Sequence, residues 1–140
     1  MYLLDTNVIS ELRRVKPHGA VLAWFHIVRP EEIAIPAVVI GEIQEGAEIT
    51  RRQDQQKAAE IEAWLEYILA NFTVLPMDGQ IFREWARLMA GKSDDLSGDA
   101  MIAATALVHR LIVATRNVKD FKPFNVEVFN PFDYAGEERY

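Results

Sequence analysis

Asp5, Glu42, Asp99, Asn117 and Asp120 are the side chains of this 140-residue sequence whose chemistry is hardest to assign to packing. Three or four carboxylates brought into one pocket repel, and without compensation some of them take up protons and their pKa rises. A divalent cation relieves that repulsion. Oxygen ligands without cysteine or clustered histidine favour Mg²⁺ or Mn²⁺ over Zn²⁺, and Mg²⁺ keeps waters while using few carboxylates and the phosphate oxygens of a substrate. Such a centre suits phosphodiester hydrolysis, in which the metal polarises the phosphoryl group, generates the nucleophile from bound water and neutralises the leaving oxygen.

The acids can act together only if the chain brings them to one edge. Short apolar runs rich in β-branched or aromatic residues recur at 2–4, 33–35, 72–75, 111–114 and 126–129, and read as five strands. Helical spacing lies between them: Ile61, Leu65 and Ile68 beside Trp64, then Ile81, Trp85 and Leu88, then Ala100, Ala103, Ala104 and Leu107. This alternation predicts a three-layer α/β/α domain of class α/β, its central sheet mostly parallel, with right-handed helical crossovers. In such a sheet ligands gather outside the carboxyl ends of the strands. Asp5 ends the first strand, Glu42 lies early on the helix after the second, Asp99 opens the helix before the fourth, and Asn117 and Asp120 follow the fourth. The polar stretch GKSDDLSG at 91–98 reads as a surface loop feeding a helix N-terminus. Residues 1–140 read as a single domain whose tail from 130 packs loosely.

Composition narrows the partners. Acidic residues outnumber Lys plus Arg by 21 to 15, and a net charge of −6 argues against holding a nucleic acid by bulk positive charge. Two local basic groups, Arg13, Arg14 and Lys16 after the Asp5 turn and Arg116, Lys119 and Lys122 around Asp120, flank the acidic edge and could seat phosphates. The lack of cysteine removes thiolate sites and fits a reducing cytosol. No basic leader and no bilayer-length apolar run is present, which points to a cytoplasmic protein without a membrane partner.

Three segments, MYLLDTNVISEL, VVIGEIQEGAE and GDAMIAATALVHRLIVATRNVKDF, together resemble a PIN-domain ribonuclease in order and spacing across nearly the whole chain. Within that superfamily the sequence is similar to toxins of the VapC and FitB type, made beside an antitoxin that inhibits them. The resemblance implies a PIN-like fold and a Mg²⁺- or Mn²⁺-dependent endoribonuclease leaving 5′-phosphate and 3′-hydroxyl ends. It also implies a cognate antitoxin, an RNA substrate and a homodimer. It carries Asp5, Glu42 and Asp99 over as metal-site carboxylates, with Thr6 or Thr115 orienting a water or a carboxylate. Many relatives have Asp where this chain has Asn117, so the fourth acidic role falls to Asp120, with Asn117 supplying a carbonyl oxygen or fixing a neighbouring acid.

Plainer roles compete. Asp5 and Asp99 suit helix caps, and Asp120 suits a surface turn. Val38, Val39, Ile40 and Ile43 suggest an apolar surround for Glu42, in which an unpaired charge would be costly. Asp94 and Asp95 read as solvated, His18, His26 and His109 as structural, and Trp24, Trp64 and Trp85 as packing. Two other functions fit the same fold: a degenerate PIN-like module that binds RNA or protein without turnover, and a metal-dependent phosphatase. The DTN turn lacks the second Asp of a DxD nucleophile motif, which weighs against the phosphatase.

Overall fold

A computed structural model describes residues 1–136 of the chain. Five strands, β1 (Tyr2–Leu4), β2 (Ile33–Pro36), β3 (Thr73–Leu75), β4 (Ile112–Ala114) and β5 (Val128–Phe129), form one sheet in the order β3-β2-β1-β4-β5. Every pairing is parallel, with Leu3 opposite both Ala34 and Val113, Ile35 opposite Val74, and Ala114 opposite Phe129. Parallel strands covered on both faces need continuous apolar runs, and Leu3, Leu4, Ile35 and Val113 are fully buried.

The crossovers place six helices: α1 (Thr6–Glu11), α2 (Gly19–Ile27), α3 (Ala37–Arg51), α4 (Gln55–Asn71), α5 (Gly79–Met89) and α6 (Ser97–His109). The chain steps outward from β1 to β2 to β3, then returns to the far side of β1 for β4. Right-handed connections therefore put α1 to α4 on one face and α5 and α6 on the other. Asp54 caps α4 by accepting from the Lys57 N–H at 3.0 Å, and Asp78 caps α5 through Ile81 at 2.9 Å. On α4 the buried Ile61, Leu65 and Ile68 recur at helical spacing, each worth about 1.5–3 kcal/mol of burial, so Leu65→Ala would open a cavity in this layer. In α6 the buried Ala100, Ala103, Ala104 and Ala106 combine high helix propensity with small size, which permits close packing against α5 and the sheet.

Two boundaries differ from expectation. The 91–98 stretch contains a 3₁₀ turn at Asp94–Leu96, and α6 begins at Ser97, so Asp99 is the third residue of its helix rather than the first. The tail is not loose where it leaves the sheet: Pro131–Asp133 form a 3₁₀ turn, Pro131 is buried, and the Phe132 ring meets the His18 ring at 5.2 Å. Burial of Pro131 and partial burial of Phe132 offset the ordering cost that the polar composition suggested. Residues 137–140 of that tail lie outside the described residues. Among the described residues no helix is long and apolar enough to cross a membrane.

Candidate active site

The sheet order reverses between β1 and β4, and a crevice opens at the carboxyl ends of strands on either side of such a switch. Asp5 follows β1 there. Its backbone N–H donates to the Ala114 carbonyl at 3.0 Å, continuing the β1–β4 ladder one residue past the end of β1. Its extended backbone caps α1, with Oδ1 accepting from the Thr6 N–H at 2.7 Å. Oδ2 accepts from the Thr115 hydroxyl at 2.8 Å and the Asn7 amide at 3.2 Å. Thr115, directly after β4, in turn accepts the Asn117 N–H at 3.0 Å, and Asn7 Oδ1 accepts the Arg116 N–H at 3.0 Å. One carboxylate, one hydroxyl and one amide thus tie the ends of β1 and β4 together across the switch point.

Glu42 arrives from the second turn of α3. Thr6 Oγ1 donates to its Oε1 at 2.7 Å, while its Oε2 lies 3.7 Å from where a Cβ on Gly98 would stand, beside the first turn of α6. Asp99 follows Gly98. The expected apolar surround of Glu42 is corrected here: Val39 and Ile43 are buried, but Glu42 itself is exposed, because it stands about 100° round the helix from Ile43, at the edge of the buried stripe. Its charge is held by a hydroxyl in contact with water and incurs little desolvation cost.

Asp120 stands on the 3₁₀ turn Val118–Phe124, which buries Phe121 and Phe124 and so anchors the exposed Asp120 directly before Phe121. Its backbone N–H donates to Asn117 O at 3.0 Å. Together with Arg116, Asn117, Lys119, Asn130 and Asp133 it lines a cleft of ≈ 490 Å³. The Arg116 guanidinium lies 4.5 Å over the Phe132 ring.

Electrostatics links the four acids. The Asp99 carboxyl is pushed up to about 6, first by partial burial and then by the negative charges of Asp5, Asp120 and Glu42. The Asp5 carboxyl is raised by burial, with hydrogen bonds from Thr115, the Thr6 N–H and Asn7 acting against that rise and the Asp120 charge adding to it. Among the described residues, no three acidic or histidine side chains stand in a set that could hold a metal ion as they are now placed. The four share a space without closing on one point. In kind they fit a hard cation: the groups that act on Asp99 are carboxylates, and the repulsion that adds to its burial is what a bound positive charge would relieve.

Asp5 is both helix cap and member of the acidic set, whereas Asp99 caps nothing, since Leu96 holds the N-cap position. Arg13 sits 5.5 Å over the Trp64 ring close to the Glu42 side, which moves Trp64 from pure packing to a half-buried wall of the site. Arg14 turns to Glu11 at 3.6 Å, and Lys16 is exposed with nothing that ties it to the crevice. His18 caps α2 through Nδ1, which accepts from the Ala20 N–H at 3.2 Å. Asn7 was not singled out from the sequence. Its signal was present as the third residue of DTN, the second position of α1, from which an amide can both donate and accept.

Comparison with known proteins extends this geometry. A family model described as PIN domain matches residues 2–124. The VapC ribonuclease Y4jK of Sinorhizobium fredii is 36% identical over 143 residues, covering 96% of this chain and all of the relative. Toxin FitB of Neisseria gonorrhoeae is 34% identical, covering 94% of this chain and 99% of the relative. The crystal structure of FitAcB from Neisseria gonorrhoeae superposes with a TM-score of 0.83 at 33% identity, over 95% of this chain and 99% of the other.

Proposed function

The chain belongs to the PIN domain family, among the VapC ribonucleases and FitB toxins, and from that premise we propose that it is a metal-dependent endoribonuclease acting as the toxin of a type II toxin–antitoxin pair. The observation that carries this reading is the meeting of four acids from separate parts of the chain at one crevice, where the Asp99 carboxyl is raised by burial and then by the charges of Asp5, Asp120 and Glu42. Asp5, Glu42, Asp99 and Asp120 are the residues that would hold Mg²⁺ or Mn²⁺. Such an ion, when bound, would supply a water of lowered pKa and neutralise the charge developing on the leaving 3′ oxygen.

The chain's own residues divide the remaining work. Three hydrogen bonds fix both oxygens of Asp5 and set the direction from which its charge meets the phosphate. Thr6 does the same for Glu42, leaving the second oxygen of that carboxylate free to turn toward Asp99. Asp120 takes the fourth acidic role, and Asn117 orients it through the turn they share. Thr115 couples Asp5 to that turn. Arg116 and Lys119 on one flank and Arg13 on the other would hold phosphates of a single-stranded RNA, with Arg14 and Lys16 further out. These rims let a chain of net charge −6 accept a polyanion.

The partners follow the family: a cognate antitoxin that blocks the acidic pocket, and a second copy of the chain in a homodimer. Placement in the cytoplasm accords with both. The deciding experiment is cleavage of an end-labelled RNA by the chain freed of any partner, with Mg²⁺, with EDTA, and with Asp99→Asn. Cleavage that needs both the metal and Asp99, and leaves 5′-phosphate ends, is expected. Undiminished cleavage in EDTA or by Asp99→Asn overturns the reading, and metal binding without turnover on any RNA would favour a degenerate binding module.

A further inference from the structure

We infer that the cleft running from Glu42 along α3 is a nucleobase subsite that takes the base of a nucleotide beside the bond being cut, and so sets sequence preference. This rests on the ribonuclease reading. The cleft has a volume of ≈ 230 Å³, and its mouth is the Thr6 and Glu42 pair already placed at the crevice. Its floor is a stripe of α3. Glu42, Gly46 and Thr50 are spaced four apart, so they lie on one helix face at steps of about 6 Å and lead away from the acids. Gly46 keeps the floor low: a Cβ added there would meet no atom within 4 Å.

The facing wall carries Ser10, Arg13 and Trp64. The Arg13 guanidinium, 5.5 Å from the centre of the Trp64 ring, sets side by side the two kinds of group on which unpaired bases stack in single-stranded RNA. The hydroxyls of Ser10 and Thr50 can donate or accept, as reading a base edge requires. Glycine weakens a helix interior relative to alanine, and the space beside Gly46 is open, so the cleft runs on across this position. Continuity with Glu42 favours RNA as the occupant: a strand whose phosphate sits among the acids delivers its next base to this stripe.

The test uses Gly46→Leu, which fills the cleft while improving helix propensity, beside Trp64→Phe, which keeps an aromatic packing surface. Short oligoribonucleotides of each single base are titrated without divalent metal, and quenching of tryptophan emission reports stacking. The wild type should show base-dependent quenching; Trp64→Phe should remove most of it, and Gly46→Leu should weaken binding roughly tenfold, within the range that stacking on one aromatic contributes. On a randomised single-stranded RNA with Mg²⁺, Gly46→Leu should relax the preference at one position next to the cut and raise KM more than it lowers kcat. Equal quenching and an unchanged cleavage pattern in Gly46→Leu overturn the subsite and leave the cleft to a protein side chain. Quenching is read without turnover, so it judges the subsite separately, whereas wild-type protein that cleaves no RNA with Mg²⁺ removes the ribonuclease reading itself.

Discussion

Asp5 and Asp99 face the same crevice and are held in opposite ways. Asp5 is 7% exposed and accepts hydrogen bonds on both oxygens from Thr6, Asn7 and Thr115. Asp99 is half-buried on the first turn of α6, with no hydrogen bond to its carboxylate, and the charges around it are negative. The first is a positioned charge whose surroundings support its ionisation against burial. The second is a charge that the folded chain tolerates poorly by itself. A site assembled this way has a fixed member that belongs to the fold and a poised member whose repulsion is relieved by a cation, so structure and chemistry should separate under mutation.

The largest expected effect is on cleavage. Asp99→Asn and Asp5→Asn should each lower the rate by about three orders of magnitude, the scale of several kcal/mol lost when a metal centre is disabled. Their stabilities should diverge. Asp99→Asn removes a charge that its neighbours repel, so its Tm at pH 7 should equal or exceed that of the wild type. Asp5→Asn turns an amide NH₂ toward the Asn7 amide and the Thr115 hydroxyl, leaving buried donors unmatched, and should destabilise the fold by about 1–3 kcal/mol in denaturant unfolding. Equal loss of stability in both variants would erase the distinction between the two acids. Thr115→Val sharpens it from the other side, since it leaves all four acids in place but removes the hydroxyl between Asp5 and the Asn117 N–H. A loss of about 1–2 kcal/mol is expected there, with Tm as the readout.

The same contrast fixes a pH dependence. Because the folded-state Asp99 carboxyl is raised from 3.8 to about 6, the folded chain binds more protons than the unfolded chain between those values. Stability should therefore fall as pH rises through that window in metal-free protein, and the fall should be smaller in Asp99→Asn. Asp5, also raised, contributes in the same direction. Mg²⁺ or Mn²⁺ at pH 7 should raise the Tm of the wild type and leave Asp99→Asn almost unmoved. A metal-induced rise of the same size in both proteins would place the ion elsewhere.

Parallel strands buried on both faces must be apolar throughout, so the runs at 2–4, 33–35 and 111–114 announced themselves to within a residue of the observed strands, and the polar residues that follow marked the carboxyl edge. Asp5 was legible for that reason, while Glu42, Asp99 and Asp120 drew attention as acids on the elements that flank that edge, their roles carried over by resemblance. What single residues reveal poorly is direction. Glu42 sits among apolar neighbours in sequence, yet the helix turns it to solvent, because its neighbour Ile43 stands about 100° round the helix and takes the buried side instead. Asn7 matters through bonds to residues more than a hundred positions distant, which no local pattern encodes. Trp64 fits the helical apolar stripe and still shows one side to the crevice, since a large ring can pack and line a cleft at once.

The smallest effect separates the basic residues. Arg116 lies over Phe132 at the mouth of the cleft that holds Asp120, whereas Arg14 pairs with Glu11, its negative neighbour one helical turn away. A guanidinium already facing a carboxylate releases little on meeting a phosphate; one stacked on a ring keeps its charge available and its plane fixed. Arg116→Ala should therefore weaken binding of a single-stranded RNA and reduce the slope of log K against log salt by about 0.7, the share of one phosphate contact. Arg14→Ala should move that slope less. A larger change from Arg14 than from Arg116 would put the RNA path along α1 instead of past Asp120, and would shift the fourth acid away from the strand it is placed to meet.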